Sequence, residues 1–215
     1  MARLRAPAWV SWSAATAVLA ALALVSIHQL QYWRSPLALF EHGLEVTDGN
    51  FIAHDNYAVE LLQAGRTDEA AAHFRKAVEI NPSLSNAWCN LGIVLRQQQK
   101  YDAAAKALEG GLRVVPNDPK MHYNLALVKS LQDRYPEAFE DFEAALRFAP
   151  DNPETHLSYS RALSNYGAKL AQEGRYAESI GYFEHATRVD PANADAVRNL
   201  ELTKRMMAGR TGAGS

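Results

Sequence analysis

Four prolines, Pro82, Pro116, Pro150 and Pro191, follow one another at separations of 34, 34 and 41 residues. A fixed period of this length constrains a chain more than any composition does. It calls for one supersecondary unit repeated side by side, each burying its apolar face on the next. If each proline is position 32 of a 34-residue unit, small residues recur in register. Position 8 reads Ala58, Gly92, Ala126 and Gly167, position 20 reads Ala70, Ala104, Ala138 and Ser179, and position 27 reads Ala77, Gly111, Ala145 and Ala186. Position 24 is large and apolar: Phe74, Leu108, Phe142 and Phe183. Small residues at 8 and 20 let two helices approach closely, the side chain at 24 fills the space beside them, and the proline ends the second helix.

This pattern resembles the tetratricopeptide repeat (TPR) family. The resemblance implies an all-α fold, an α-solenoid wound as a right-handed superhelix. Full repeats are expected at 51–84, 85–118, 119–152 and 153–193. The last has seven extra residues, which lengthen its first helix by about two turns and are expected to protrude. Residues 32–50 match only a second helix, with Phe40 at position 24, Gly43 at 27 and Asp48 in place of proline. Residues 194–208 match only a first helix and are expected to cap the array, and the Gly-rich 209–215 reads as a disordered tail.

Ahead of the repeats, residues 6–27 hold no charge. Twenty-two residues of helix span about 33 Å, the thickness of a hydrocarbon core. Trp9 and Trp12 at one end and Tyr32 and Trp33 at the other form interfacial belts, and Arg3 and Arg5 place the N-terminus in the cytoplasm by the positive-inside rule. Residues 1–31 are therefore expected to be a single-pass anchor, with the repeats periplasmic or luminal. Ala21-Leu22-Ala23 leaves open a cleaved signal peptide, which would make the body an exported assembly protein.

Chemistry is sparse. Residues 35–203 carry all 24 acids against 16 bases, which argues against a nucleic-acid partner. Cys89 is the single cysteine, so neither an internal disulfide nor a Cys-rich metal site can form. The chain has none of the phosphate-binding, nucleophile-elbow or metalloprotease motifs, and no cofactor or catalytic residue is assigned. His54, His122 and His156 share position 4 with Trp88 and read as packing residues rather than metal ligands. Lys129 stands where other repeats have Leu61, Leu95 and Leu170, either as a stem lying over an apolar face or in a local partner contact.

Position 6 holds an amide in every first helix: Asn56, Asn90, Asn124, Asn165 and Asn199. Amides one repeat apart on the concave face of a TPR superhelix can hold the backbone of an extended peptide with little regard for its sequence. They can equally brace neighbouring helices. The series is similar to the asparagine ladder of the TPR domain in O-GlcNAc transferases. Val59, Leu62, Ile93, Arg96, Tyr123 and Leu127 are further groove positions. A chaperone-type carboxylate clamp would need Lys where Asp55 stands. The junction, with Trp33, Ser35, Leu39-Phe40, Val46-Thr47, Asn50 and Ala53-His54, resembles the C-terminal part of transmembrane-and-TPR protein O-mannosyltransferases. That resemblance implies a part in presenting acceptor protein to a membrane glycosyltransferase. Without the multi-pass catalytic portion of such proteins, this chain is expected to transfer nothing by itself. The expected protein is thus a non-catalytic, membrane-anchored scaffold for a peptide or partner protein, or else the TPR portion or subunit of a membrane glycosyltransferase.

Overall fold

The computed structural model describes residues 8–212, with side chains from 15 to 209. Every regular element in this range is helical. The chain divides between Ile80 and Asn81 into two compact units.

The first unit holds α1 (Ala8–Leu30), a 3₁₀ turn over Gln31–Trp33, α2 (Pro36–Val46), α3 (Phe51–Gln63) and α4 (Thr67–Ile80). Across α1 and the turn that follows it, residues Ala15–Trp33 have a mean hydropathy of 1.3 and none is buried. Leu19, Leu24 and Ile27 each expose more than 60% of their surface. Arg3 and Arg5 lie outside the described residues, as do the side chains of Trp9 and Trp12. Ser35 caps α2 by accepting from the Ala38 N–H, and Pro36 opens it, as a first-turn proline can. The helices α3 and α4 form a hairpin whose core is Ala58, Leu61, Ala70, Phe74 and Ala77, all fully buried.

The second unit holds three hairpins and a closing helix: α5 (Ser85–Gln97) with α6 (Tyr101–Val114), α7 (Pro119–Leu131) with α8 (Tyr135–Phe148), α9 (Pro153–Gln172) with α10 (Tyr176–Val189), and α11 (Ala194–Gly212). The periodic small residues sit where the hairpins close. A Cβ on Gly92 would meet Leu108 Cγ at 2.5 Å, and one on Gly167 would meet Phe183 Cε1 at 3.1 Å. Each hairpin turn is the same left-handed closure. Gly65, Gln99, Asp133 and Gly174 all have φ between 59° and 78°. The next residue's N–H returns to the helix, as from Lys100 to the Leu95 carbonyl at 2.9 Å.

Ring N–H groups tie the repeats together at position 4. Trp88 Nε1 donates to the Pro82 carbonyl at 2.9 Å, His122 Nε2 to that of Pro116 at 2.9 Å and His156 Nε2 to that of Pro150 at 2.7 Å. The carbonyl of the helix-ending proline would otherwise lack a partner. Helix starts are capped as well: the Asp118, Asn152 and Asn193 side chains accept from the N–H groups of Met121, Thr155 and Ala196.

Two expectations are corrected. The inserted turns of α9 do not protrude. Tyr159, Ser160, Ala162 and Leu163 are buried, Tyr159 stacks on Phe142 with ring centroids 5.2 Å apart, and Ser160 Oγ donates to the Ala186 carbonyl at 2.8 Å. The extra length became the wall of an aromatic cluster with Phe139, Tyr166 and Tyr182. The C-terminal helix also runs past the expected start of the tail: α11 continues to Gly212, and residues 213–215 lie outside the described range.

Candidate binding groove

The first helices α5, α7 and α9 supply the walls of two cavities in the second unit. One, of about 460 Å³, is lined by Ile93, Arg96, Lys120, Tyr123, Asn124, Leu127 and Glu154 among others. The other, of about 280 Å³, is lined by Arg96, Leu127, Ser130, Leu131, Phe142, Ser158, Arg161 and Asn165. Arg96 and Leu127 belong to both, so the two join into one groove.

Five of the eleven groove residues expected from sequence line the larger cavity: Ile93, Arg96, Tyr123, Asn124 and Leu127. Asn165 lines the smaller one. Asn199 faces a separate cavity of about 220 Å³ among Phe183, Leu202 and Met206. Asn90 is half-buried on α5 and lines neither part of the groove. Asn56, Val59 and Leu62 are half-buried on α3 of the first unit.

The amides are not equivalent. Asn124 is only 4% exposed, and its Nδ2 donates to the Lys120 carbonyl one turn back at 2.8 Å. It is held by its own helix. Asn165 is exposed. The insertion also interrupts the ladder. The residue of α9 facing the rung beside Asn124 is Ser158, whose Oγ lies 3.2 Å from the Tyr123 hydroxyl, and Asn165 follows seven residues later, about two turns along the helix.

Sequence reasoning missed Lys120, Ser158 and Arg161. The signal was present: counted from Pro150 instead of Pro191, Ser158 falls at position 6 and Arg161 at position 9, the positions of Asn124 and Leu127. The helix carries two registers, the first facing α7 and the second placing Gly167 against Phe183 of α10.

Charge in the groove is lopsided. Arg96, Lys120 and Arg161 face it, against Glu154 alone. Glu154 Oε1 accepts from the Tyr123 hydroxyl at 2.9 Å. Burial, with that carboxylate, pushes the Tyr123 phenol above its ordinary range, so it stays a neutral donor. The Nε of Arg96 is buried with no hydrogen-bond partner. Lys129, expected as an oddity, does not enter the groove lining. Its Nζ donates to Asp141 Oδ2 at 2.6 Å, and His122 Nδ1 lies 3.1 Å from the other carboxylate oxygen. The local contact is therefore an ion pair inside the third hairpin.

Among the described residues, no group of three or more His, Cys, Asp or Glu side chains converges on a metal-sized site. Cys89 is buried, and burial raises its thiol pKa, which makes it a poor nucleophile.

Comparison with known proteins agrees with this architecture. Tetratricopeptide-repeat family models match residues 89–153 and 60–97. Residues 60–153 carry tetratricopeptide repeats. The TPR architecture is shared with YrrB, a TPR protein with an unusual peptide-binding site: 24% identity, TM-score 0.60, covering 80% of this chain and 84% of that one. It is shared also with MamA, at 19% identity and TM-score 0.58 over 74% and 82% of the two chains. A MamA fragment from Desulfovibrio magneticus RS-1 aligns at 16% identity and TM-score 0.59 over 81% and 97%. At these identities the likeness carries the fold alone, an all-α TPR solenoid. A search of curated protein sequences finds no significant match.

Proposed function

We propose that this protein is a membrane-anchored, non-catalytic scaffold that binds an extended peptide, or an extended segment of a partner protein, outside the cytoplasm. The observation that carries it is the groove between α5, α7 and α9, where apolar side chains (Ile93, Leu127, Leu131) alternate with hydrogen-bonding ones. That mixture suits a peptide, whose backbone needs polar partners and whose side chains need pockets. Anchoring is supported by the unburied apolar surface of α1, which lipid would cover. The outward orientation rests on Arg3 and Arg5.

The test is peptide binding by amide variants. Asn165→Ala should weaken binding at unchanged melting temperature, since the side chain is exposed. Asn124→Ala should lower the melting temperature, because it removes a buried hydrogen bond worth about 1 kcal/mol. Binding indifferent to Asn165→Ala would remove the ladder from the mechanism. A role as the TPR portion of a membrane glycosyltransferase draws on the junction from Trp33 to His54. It predicts that the protein extracted from membranes has an intact mass well above 23.7 kDa, or co-purifies with a multi-pass enzyme. A mass lower by the first two dozen or so residues would instead indicate a cleaved signal.

A further inference from the structure

We propose that the smaller cavity of the groove, between Arg96 and Arg161, is a subsite for the side-chain carboxylate of an acidic peptide. The inference rests on the peptide-binding role proposed above and gives it a ligand chemistry.

Three observations converge there. First, Arg96 and Arg161 line one cavity whose lining holds no acid. Around them stand Ser130, Ser158 and Asn165, neutral groups that cannot neutralise a cation; the two hydroxyl protons are given to Ala126 and Tyr123, and the exposed Asn165 amide can donate to a carboxylate. Second, neither guanidinium is used by the fold. Four other arginines are paired with acids: Arg66 with Glu69, Arg134 with Glu137, Arg175 with Glu178 and Arg198 with Asp195. Arg96 and Arg161 form no ion pair or hydrogen bond with any described residue, and the buried Nε of Arg96 points to no acceptor. A buried guanidinium N–H without a partner costs free energy that a ligand acceptor would return. Third, the cost is placed beside apolar surface: Leu127, Leu131 and Phe142 line the same cavity. Low local polarity strengthens a charge-assisted bond and suits the methylene stem of a Glu or Asp side chain. The adjoining cavity, which Arg96 also lines, adds Lys120 and the single acid Glu154, so the joined groove carries three cations to one carboxylate and its excess positive charge includes Arg161, which shares no cavity with an acid. The chain as a whole carries a net charge of −2, so this polarity is local to the groove rather than a general cationic surface.

The full-length protein in detergent can be titrated with an alternating Ala–Glu octapeptide bearing fluorescein at its N-terminus and an amide at its C-terminus, with Ala–Gln and Ala–Lys octapeptides alongside. Ala–Glu should bind roughly tenfold or more tighter than Ala–Gln, the size expected of a charge-assisted hydrogen bond, and the gap should shrink with added salt. Arg161→Gln, on an exposed residue, should abolish most of the gap with the fold intact by circular dichroism, and Arg96→Gln should do the same. Equal binding of Ala–Glu and Ala–Gln would overturn the subsite while leaving the peptide groove standing. No binding of any octapeptide would overturn both. An Ala–Gln peptide with a free C-terminus that matches Ala–Glu would also overturn the side-chain assignment, since the groove would then be reading a chain end.

Discussion

The second and third repeats are built from helix pairs of the same lengths, thirteen and fourteen residues. They close differently. At positions 11 and 23 the second repeat places Leu95 and Ala107, both buried and apolar. The third places Lys129 and Asp141, joined at 2.6 Å, with His122 at the far oxygen. One scaffold thus tolerates an apolar or an ionic contact at the same two sites, provided that the ionic one is complete. The lesson is asymmetric: a buried pair adds little over apolar packing, yet half of one is costly. Asp141→Ala should therefore be the most damaging single change in the comparison. It leaves the Lys129 ammonium, with 13% of its side chain exposed, without its partner. A loss of about 3–5 kcal/mol is expected in urea unfolding. A loss below about 1 kcal/mol would mean that Lys129 swings out to water.

Converting the third repeat to the second makes the reverse case. Lys129→Leu combined with Asp141→Ala should restore all of that loss, ending between neutral and about 4 kcal/mol more stable than the native protein. The mirror change, Leu95→Lys with Ala107→Asp, should destabilise the protein. Position 4 there is Trp88, whose only N–H is already given to the Pro82 carbonyl, so a new carboxylate would lack the contact that His122 supplies. If the mirror change also proves neutral, His122 contributes nothing to the pair.

Much of this was legible in the sequence, and the illegible part has one cause. The proline period, the small residues at 8, 20 and 27 and the large one at 24 gave the hairpins directly, because each is set by local geometry within one repeat. Lys129 stands out against Leu61, Leu95 and Leu170 in the repeat pattern, but its partner does not. Its partner is twelve residues away on the other helix, at a position the other repeats fill with His73, Ala107 and Tyr182, so no consensus flagged Asp141. The groove failed in the same way at α9. One register, counted from Pro191, hid the second, and with it Arg161. An insertion of seven residues keeps the apolar face while moving every polar group two turns, which a hydropathy pattern cannot register.

The turns offer a smaller contrast. Gly65 and Gly174 take the left-handed conformation without steric cost, whereas Gln99 and Asp133 carry a Cβ at φ 59°. Gln99→Gly should stabilise the second hairpin by about 0.5–1 kcal/mol, the relief of the left-handed strain less the added freedom of the unfolded chain. Asp133→Gly should yield less, because Asp is tolerated there better than Gln. Equal thermal shifts, or none, would show the turn to be insensitive to its residue.

The finest contrast lies between positions 4 and 23 of the first and third repeats, which meet in both. In the third, His122 meets Asp141. In the first, His54 meets His73, their Nδ1 atoms 2.9 Å apart. That contact is a hydrogen bond only while one ring donates and the other keeps a free lone pair, so it cannot survive double protonation. Burial lowers both histidines from their ordinary value, and for His54 the neighbouring His73 adds to the effect. Both are partly exposed, so the effect is small. A histidine lowered on folding takes up more protons in the unfolded chain. Its contribution to stability is therefore complete above the ordinary value near 6.5 and is lost as the pH falls below it toward the folded value. The melting temperature should accordingly fall between pH 7.5 and pH 5. His73→Asp gives His54 the partner that His122 has, and protonation of His54 then strengthens the contact instead of breaking it. The variant should lose less on acidification than the native protein, even if it is no more stable at pH 7.5. Parallel pH profiles for the two proteins would show that the His54–His73 contact is not what titrates.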